Sequence, residues 1–254
     1  MQENPGKTAS ERPPASQDAP SRRRVRLPGS ADGSFDAPEV YGREAILNVV
    51  RALPTFERTY AFIRFSILRP KLLSVMDLLL PDEGRILDVG CGFGLFAGYF
   101  GQTQRARRIL GVDPDERRVR MAERVAGALG LREHRFLATD ALDPRVQGPF
   151  SGAYVLDVMH HVPRESQRAL LERLRDLLAP QGVLIIKDIT TEPRFGLKFT
   201  ELLDRVMVGW DEPLAYRHHR EWGEMLAELG FHVRMVRVPD LLPYPHIVIA
   251  AQKV

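Results

Sequence analysis

Apolar residues recur at helical spacing from about Arg43, where Ala45, Ile46, Val49, Val50 and Leu53 share one stripe before Pro54 interrupts it. Thr55 can cap a second helical segment from Phe56 to Leu68. Pro70 opens a third, from Lys71 to Leu80, with Leu72, Leu73, Val75, Met76, Leu79 and Leu80 facing inward before Pro81. Past residue 84 the pattern changes to short aliphatic or β-branched runs alternating with amphipathic stretches. Strands are predicted at 85–89, 108–112, 134–138, 153–157, 182–188, 231–238 and 246–253, with helices between them at about 94–101, 114–129, 165–178, 194–209 and 219–229. Runs of this continuous apolar kind are buried on both faces, so the expected fold class is α/β, a doubly wound and mostly parallel sheet with an N-terminal helical cover. Gly182 and Gly230 fall where helices give way to strands, positions that suit residues tolerating positive φ.

The division that follows is a tail at 1–40, a helical cap at 41–83 and a main domain at 84–254 with a lid-like insertion at 191–220. The tail holds six of the 19 prolines and few aliphatic residues, a composition that predicts disorder. The six basic residues before residue 40, among them the Ser21-Arg22-Arg23-Arg24-Val25-Arg26 run, are matched by six acidic ones, so the tail reads as a solvated segment. The second helix is unusual. Phe56, Tyr60, Phe62, Ile63, Phe65 and Ile67 spread wider than one core stripe requires, leaving core packing, a wall over an apolar ligand, and peripheral membrane contact all open. The chain of 254 residues, 44% hydrophobic and 27% charged, has room for a sizeable core and lacks any run approaching the about 20 apolar residues of a membrane span. A formal charge of +3 makes no demand for nucleic acid. One cysteine, Cys91, excludes an internal disulfide, and without an apolar signal core the expectation is a cytoplasmic protein.

Chemistry concentrates where the first strand becomes a helix, in Asp88-Val89-Gly90-Cys91-Gly92-Phe93-Gly94. Glycines there let the backbone approach a ligand closely. The spacing is GxGxG rather than the GxGxxG of dinucleotide sites, and a carboxylate stands two residues before the first glycine. A pyrophosphate would be repelled by that neighbour, whereas a cationic ligand would be attracted. Asp88, Asp113, Asp140, Asp157 and Asp188 all fall at predicted carboxyl ends of strands, the edge at which open α/β sheets bind ligands, although some such aspartates serve only to cap helices.

Through ILDVGCGFGLFA at 86–97, LGVDPD at 110–115 and ATDALD at 138–143, the chain resembles the class I S-adenosylmethionine-dependent methyltransferases over roughly residues 84–188. The resemblance implies a Rossmann-like sheet with its last strand antiparallel, and S-adenosyl-L-methionine as cofactor. It assigns the methionine portion to Asp88, Gly90, Gly92 and Gly94. The ribose hydroxyls fall to Asp113, 19 residues beyond Gly94, with Pro114 beside it, and the adenine to Asp140 and Ala141. One carboxylate can accept hydrogen bonds from both hydroxyls of a vicinal diol.

The fourth strand ends in Asp157-Val158-Met159-His160-His161, beside the expected methyl group, so Asp157 and His160 are the catalytic candidates and Asp157 also a cofactor contact. An oxygen or nitrogen acceptor must lose a proton, and a histidine titrating near neutrality suits that task. His160 resembles a histidine common at this place in small-molecule methyltransferases, where it is a base in some and packing over the cofactor in others. His161 reads as structural or solvent-facing. No metal is expected: Asp188 is followed by Ile189 and Thr190, without the adjacent ligand of magnesium-dependent relatives. In the insertion Arg217 can pair with an anionic substrate group or serve as a helix cap or surface residue, while His218 and His219 have no cysteine or further histidine spaced to complete a metal site. The expected function is methyl transfer to an oxygen, less so to nitrogen or carbon, of a small apolar or lipid-like molecule, with no nucleic-acid partner. The alternatives are an RNA or protein methyltransferase, a cofactor-binding regulatory protein without turnover, and, last, a nicotinamide dehydrogenase.

Overall fold

Pro54 and Pro70 break the opening chain into three helices, α1 (Arg43–Ala52), α2 (Thr55–Ile67) and α3 (Pro70–Leu79). The computed structural model describes residues 42–191, 215–236 and 246–254; the expected tail at 1–40 and most of the insertion at 191–220 lie outside them. Thr55 is the first helical residue rather than the cap. Pro54 occupies the cap position, with no side-chain cap bond. The carbonyls at the end of α1 are met instead by Arg58, whose Nε donates to Leu53 O (2.7 Å) and Nη2 to Arg51 O (3.1 Å).

Among the described residues seven strands follow: β1 (Gly84–Val89), β2 (Arg107–Asp113), β3 (Arg135–Ala138), β4 (Phe150–Leu156), β5 (Leu178–Ile189), β6 (Phe231–Val236) and β7 (His246–Lys253). Between them lie α4 (Leu95–Thr103), α5 (Glu116–Ala128), α6 (Arg164–Leu177) and α7 (His219–Glu228). The sheet order is β3-β2-β1-β4-β5-β7-β6, and β7 runs antiparallel to both its neighbours while the first five strands are parallel. The expected Rossmann-like sheet with an inserted antiparallel last strand is thus the observed one. Asp115 caps α5, its Oδ1 accepting from the Arg117 (2.7 Å) and Arg118 (3.3 Å) amides.

Alternation along the strands explains the two layers. Ile86, Tyr154, Ile185 and Val248 face a cluster built with α1 to α5, while Leu87, Val155, Ile186 and Ile249 face a second built with α6 and α7. A buried ion pair ties the opening helices to the sheet. Arg107 of β2 reaches Asp77 Oδ1 of α3 through Nη1 and the Pro81 carbonyl (2.7 Å) through Nε. At the junction of α6 and β5 the left-handed residue is Gln181 (φ 63), and Gly182 is not left-handed; Gly230 (φ 81) is, as expected. β4 and β5 start earlier than the sequence pattern suggests, because Phe150 pairs with Leu178 ahead of an irregularity in the ladder.

Candidate active site

The turn after β1 shows why its three glycines are not equivalent. Gly90 (φ 75), Gly92 (φ 52) and Gly94 (φ 72) are all left-handed. The Gly90 and Cys91 amides donate to Val112 O at 2.8 and 3.0 Å, which fastens the turn to the end of β2. A Cβ on Gly94 would sit 2.8 and 2.9 Å from Ala122 Cβ and Cα, so this glycine permits α4 to pack on α5. A Cβ on Gly92 would meet nothing within 4 Å. Gly92 borders a cavity of about 540 Å³, of the size that takes a small organic ligand, and a side chain there would intrude on it.

Of the nine residues read as cofactor contacts, Gly90, Gly92, Asp113, Pro114, Asp140, Ala141 and Asp157 line this cavity, and Asp88 and Gly94 do not. Gly94 is a packing residue. Asp88 is buried behind the turn, beside the Tyr154 hydroxyl. Burial pushes its carboxyl up to about 7, a rise that the nearby Tyr154 hydroxyl partly offsets and the Asp113 carboxylate adds to. Burial, followed by Asp88 and Asp113, also pushes the Cys91 thiol far up, which keeps it a neutral, unreactive thiol.

Asp113 closes β2 with each carboxylate oxygen held by backbone, Oδ2 by the Gly92 amide and Oδ1 by the Asp115 amide, both at 2.9 Å. Each oxygen keeps a second lone pair for a ligand hydroxyl. Asp140, just past β3, accepts through Oδ1 from the Leu142 (2.8 Å) and Asp143 (3.1 Å) amides, a local turn that presents the carboxyl group at the cavity rim.

At the other end of the cavity the two catalytic candidates have very different surroundings. Asp157 (φ 51) binds Arg64 of α2 through Oδ2 at 2.9 Å and Lys187 of β5 through Oδ1. Burial would raise its carboxyl, but Lys187 and then Arg64 outweigh that and hold it well below the usual carboxylate range. A carboxylate so committed is no proton acceptor at neutral pH. His160 lies in the short turn Met159–His161, where Asp188 grips it twice: Oδ2 accepts the His160 amide (3.1 Å) and Oδ1 meets Nδ1 at 2.5 Å. A carboxylate can only accept here, so Nδ1 carries a proton, and in the neutral imidazole Nε2 is the acceptor nitrogen. Asp188 therefore serves the turn after β4, and among the described residues it caps no helix. His161 also borders the cavity, its ring 4.2 Å from that of His160.

The α2 helix forms the roof. Tyr60 stands edge-on to Phe93 at 5.3 Å, Arg64 lies over Phe96, and Phe65 packs edge-on against Phe96 at 5.8 Å. Core packing accounts for Phe65 alone of that aromatic set; Phe56 and Phe62 are 86% and 68% exposed. Arg64 and Lys187 escaped the sequence reading. Arg64 carries no local signal, since its partner is 93 residues away, but a lysine inside the apolar run Val183-Leu184-Ile185-Ile186-Lys187 is one, because a buried ammonium requires a partner.

The insertion candidates resolve differently. Arg217 pairs with Glu221 (3.0 Å) and does not border the cavity; His218 caps α7, accepting from the Arg220 amide (3.2 Å); His219 Nδ1 meets Thr190 Oγ1 at 3.0 Å. The rest of the insertion, residues 192–214, lies outside the described residues. Among the described residues no group of three or more His, Cys, Asp or Glu is placed to hold a metal, and no helix is long and apolar enough to cross a membrane.

Comparison with known proteins bears on this geometry. A methyltransferase-domain family profile matches residues 60–236. A ubiquinone biosynthesis O-methyltransferase of Rhodopseudomonas palustris is 28% identical over 127 residues, 50% of this chain and 48% of the relative, and an S-adenosyl-L-methionine-dependent Diels-Alderase of Talaromyces variabilis is 27% identical over 191 residues, 66% and 64%. The chain spans about half the length of the first of these curated relatives. Among solved structures, the 1,6-didemethyltoxoflavin-N1-methyltransferase of Burkholderia thailandensis, with its substrate and S-adenosylhomocysteine bound, superposes with a TM-score of 0.59 at 21% identity, covering 87% of this chain and 93% of that one. With the profile match extending over more than half of its length, the chain belongs to the methyltransferase domain family, in the class I group whose cofactor is S-adenosylmethionine.

Proposed function

We propose that the protein transfers a methyl group from S-adenosylmethionine to a hydroxyl oxygen of a small apolar or lipid-like molecule, with His160 as the base. The observation that carries this reading is the Asp188–His160 pair on the wall of a cavity roofed by Tyr60, Phe93 and Phe96. When bound, S-adenosylmethionine would supply a sulfonium methyl open to in-line attack at carbon, with S-adenosylhomocysteine leaving as the neutral thioether. This chain's residues hold and orient the partners. Gly90 and Gly92 leave room for the methionine portion, Asp113 accepts the ribose hydroxyls beside Pro114, and Asp140 and Ala141 receive the adenine. Asp157, committed to Arg64 and Lys187, anchors the roof helix to the sheet beside the reacting groups. His160 Nε2 takes the hydroxyl proton, and the charge that develops on the imidazole is stabilised by Asp188 at Nδ1. Apolar walls favour an apolar acceptor and keep water from competing for the methyl group.

The O-methyltransferases among the relatives support oxygen as acceptor. The Diels-Alderase relative favours a second reading, cofactor binding without transfer. Incubation with methyl-labelled S-adenosylmethionine and a panel of phenols, catechols and prenylated catechols separates the two. Acceptor-dependent formation of S-adenosylhomocysteine is expected, with His160→Ala slowing turnover about 10²-fold while cofactor affinity changes less than twofold. Cofactor binding without any S-adenosylhomocysteine would favour the second reading, and an unaltered rate in His160→Ala would remove the histidine from proton transfer.

A further inference from the structure

Gln167, one turn into α6, is fully buried and is spent on the chain around His160. Its Nε2 donates to the carbonyls of Met159 (3.0 Å) and Val162 (3.0 Å), one on each side of the His160-His161 pair, and to that of Ala215 (3.1 Å). Two amide hydrogens thus serve three carbonyls from two stretches of chain far apart in sequence. The other end of the amide is fixed as well: Oε1 accepts from Arg217 Nε, while Arg217 Nη1 and Nη2 bind Glu221 Oε2 and Arg164 O, both at 3.0 Å. A guanidinium can only donate, so it defines which end of the amide is oxygen and aims Nε2 at the carbonyls. The Ala215 amide donates to His160 O at 2.7 Å, completing a two-way join, and the next residue, Tyr216, lies stacked on the His160 imidazole with ring centres 5.2 Å apart and planes 20° apart.

We infer that Gln167 is a positioning residue of the methyl-transfer site: it fastens residues 215–217 onto the turn Met159–His161 so that Tyr216 and Asp188 together fix the plane of the His160 ring. Asp188 holds one edge of the imidazole and Tyr216 covers one face, a division of labour that limits both tilt and rotation. Small errors in the placement of a reacting group are expensive in rate. An amide is suited to this task because it satisfies buried carbonyls without bringing a charge next to the imidazole. The inference rests on the reading of His160 as the base.

The test uses Gln167→Met, which keeps the bulk and removes both donors, and the pair Tyr216→Leu and Tyr216→Phe, at a half-buried position where folding is less at risk. The first readout needs no acceptor: the ring-current shift of the His160 ring protons from Tyr216, measured by NMR on the full chain with S-adenosylhomocysteine bound. The second is kcat and KM for a short-chain prenylated catechol. The shift should be lost in Gln167→Met and in Tyr216→Leu, kcat should fall about 10-fold or more in both with KM within about twofold, and Tyr216→Phe should recover what Tyr216→Leu loses. A retained shift in Gln167→Met, or a lost shift with unchanged kcat, would overturn the inference. So would a KM effect without a kcat effect in the Tyr216 pair, which stays decisive if Gln167→Met does not fold. A wild-type rate in His160→Ala marks a separate failure, that of the base assignment itself.

Discussion

Asp157 balances two cations, so removing the anion and removing one cation are not equivalent perturbations. Asp157→Asn leaves the Lys187 side chain, 1% exposed, without the carboxylate it pairs with, and breaks the Arg64 ion pair. His246 adds no positive charge of its own, since burial and then Lys187 push it down to about 3. Stranding a buried ammonium should cost about 3–5 kcal/mol, the range for breaking a buried pair from one side. Lys187→Met removes a cation and fills the space of its aliphatic stem, while Asp157 keeps Arg64 at 2.9 Å, so about 1–2 kcal/mol is expected. In the double variant the stranded ammonium is gone, and its cost should fall short of the sum of the singles by at least about 1.5 kcal/mol. Urea denaturation with unchanged m-values measures all three, and amide exchange should show α2 losing protection in Asp157→Asn but not in Lys187→Met. Equal single costs that simply add would refute the reasoning, since the carboxylate would then not be the shared partner.

Three further expectations follow from the glycine turn and its neighbours. Asp113→Ala should weaken S-adenosylmethionine binding by about 1.5–3 kcal/mol in calorimetry through lost ribose hydrogen bonds, and an unchanged affinity would place the ribose elsewhere. Gly94→Ala should lower the melting temperature because its Cβ would strike the backbone of Ala122, whereas Gly92→Ala should melt closer to wild type and lose cofactor affinity instead; the reverse pattern would contradict the division of roles in the turn. The Asp88 carboxyl, raised from 3.8 to about 7, keeps its proton in the folded state after the unfolded chain has lost it, so this group's contribution to stability falls as pH rises from about 4 to 7. At about 1.36 kcal/mol per unit the fall approaches 4 kcal/mol, and Asp88→Asn should flatten it; parallel stability curves for variant and wild type between pH 5 and 8 would rule this out.

Local chemistry was enough to read much of this protein. Pro54, Pro70 and Pro81 delimit the opening helices because proline cannot continue a helix past its first turn, and the continuous apolar runs of β1, β2, β4, β5 and β7 announce strands covered on both faces. The strand-end aspartates and the left-handed glycines follow the same logic, since the conformational demand of a tight turn is written in the residues that make it. Tertiary structure alone decided which of those residues touch the cavity. Asp88 and Gly94 look like ligands in sequence yet do not line the cavity, because Asp88 is buried beside Tyr154 and the backbone of Gly94 lies close against Ala122. The pairing of Arg64 with Asp157 across 93 residues, the grip of Asp188 on His160 and the Gln167 clasp had no signature in the sequence. Each joins groups that neither helical nor strand periodicity brings together, and they meet only once the sheet order has set β5 beside β4 and the opening helices over their carboxyl ends.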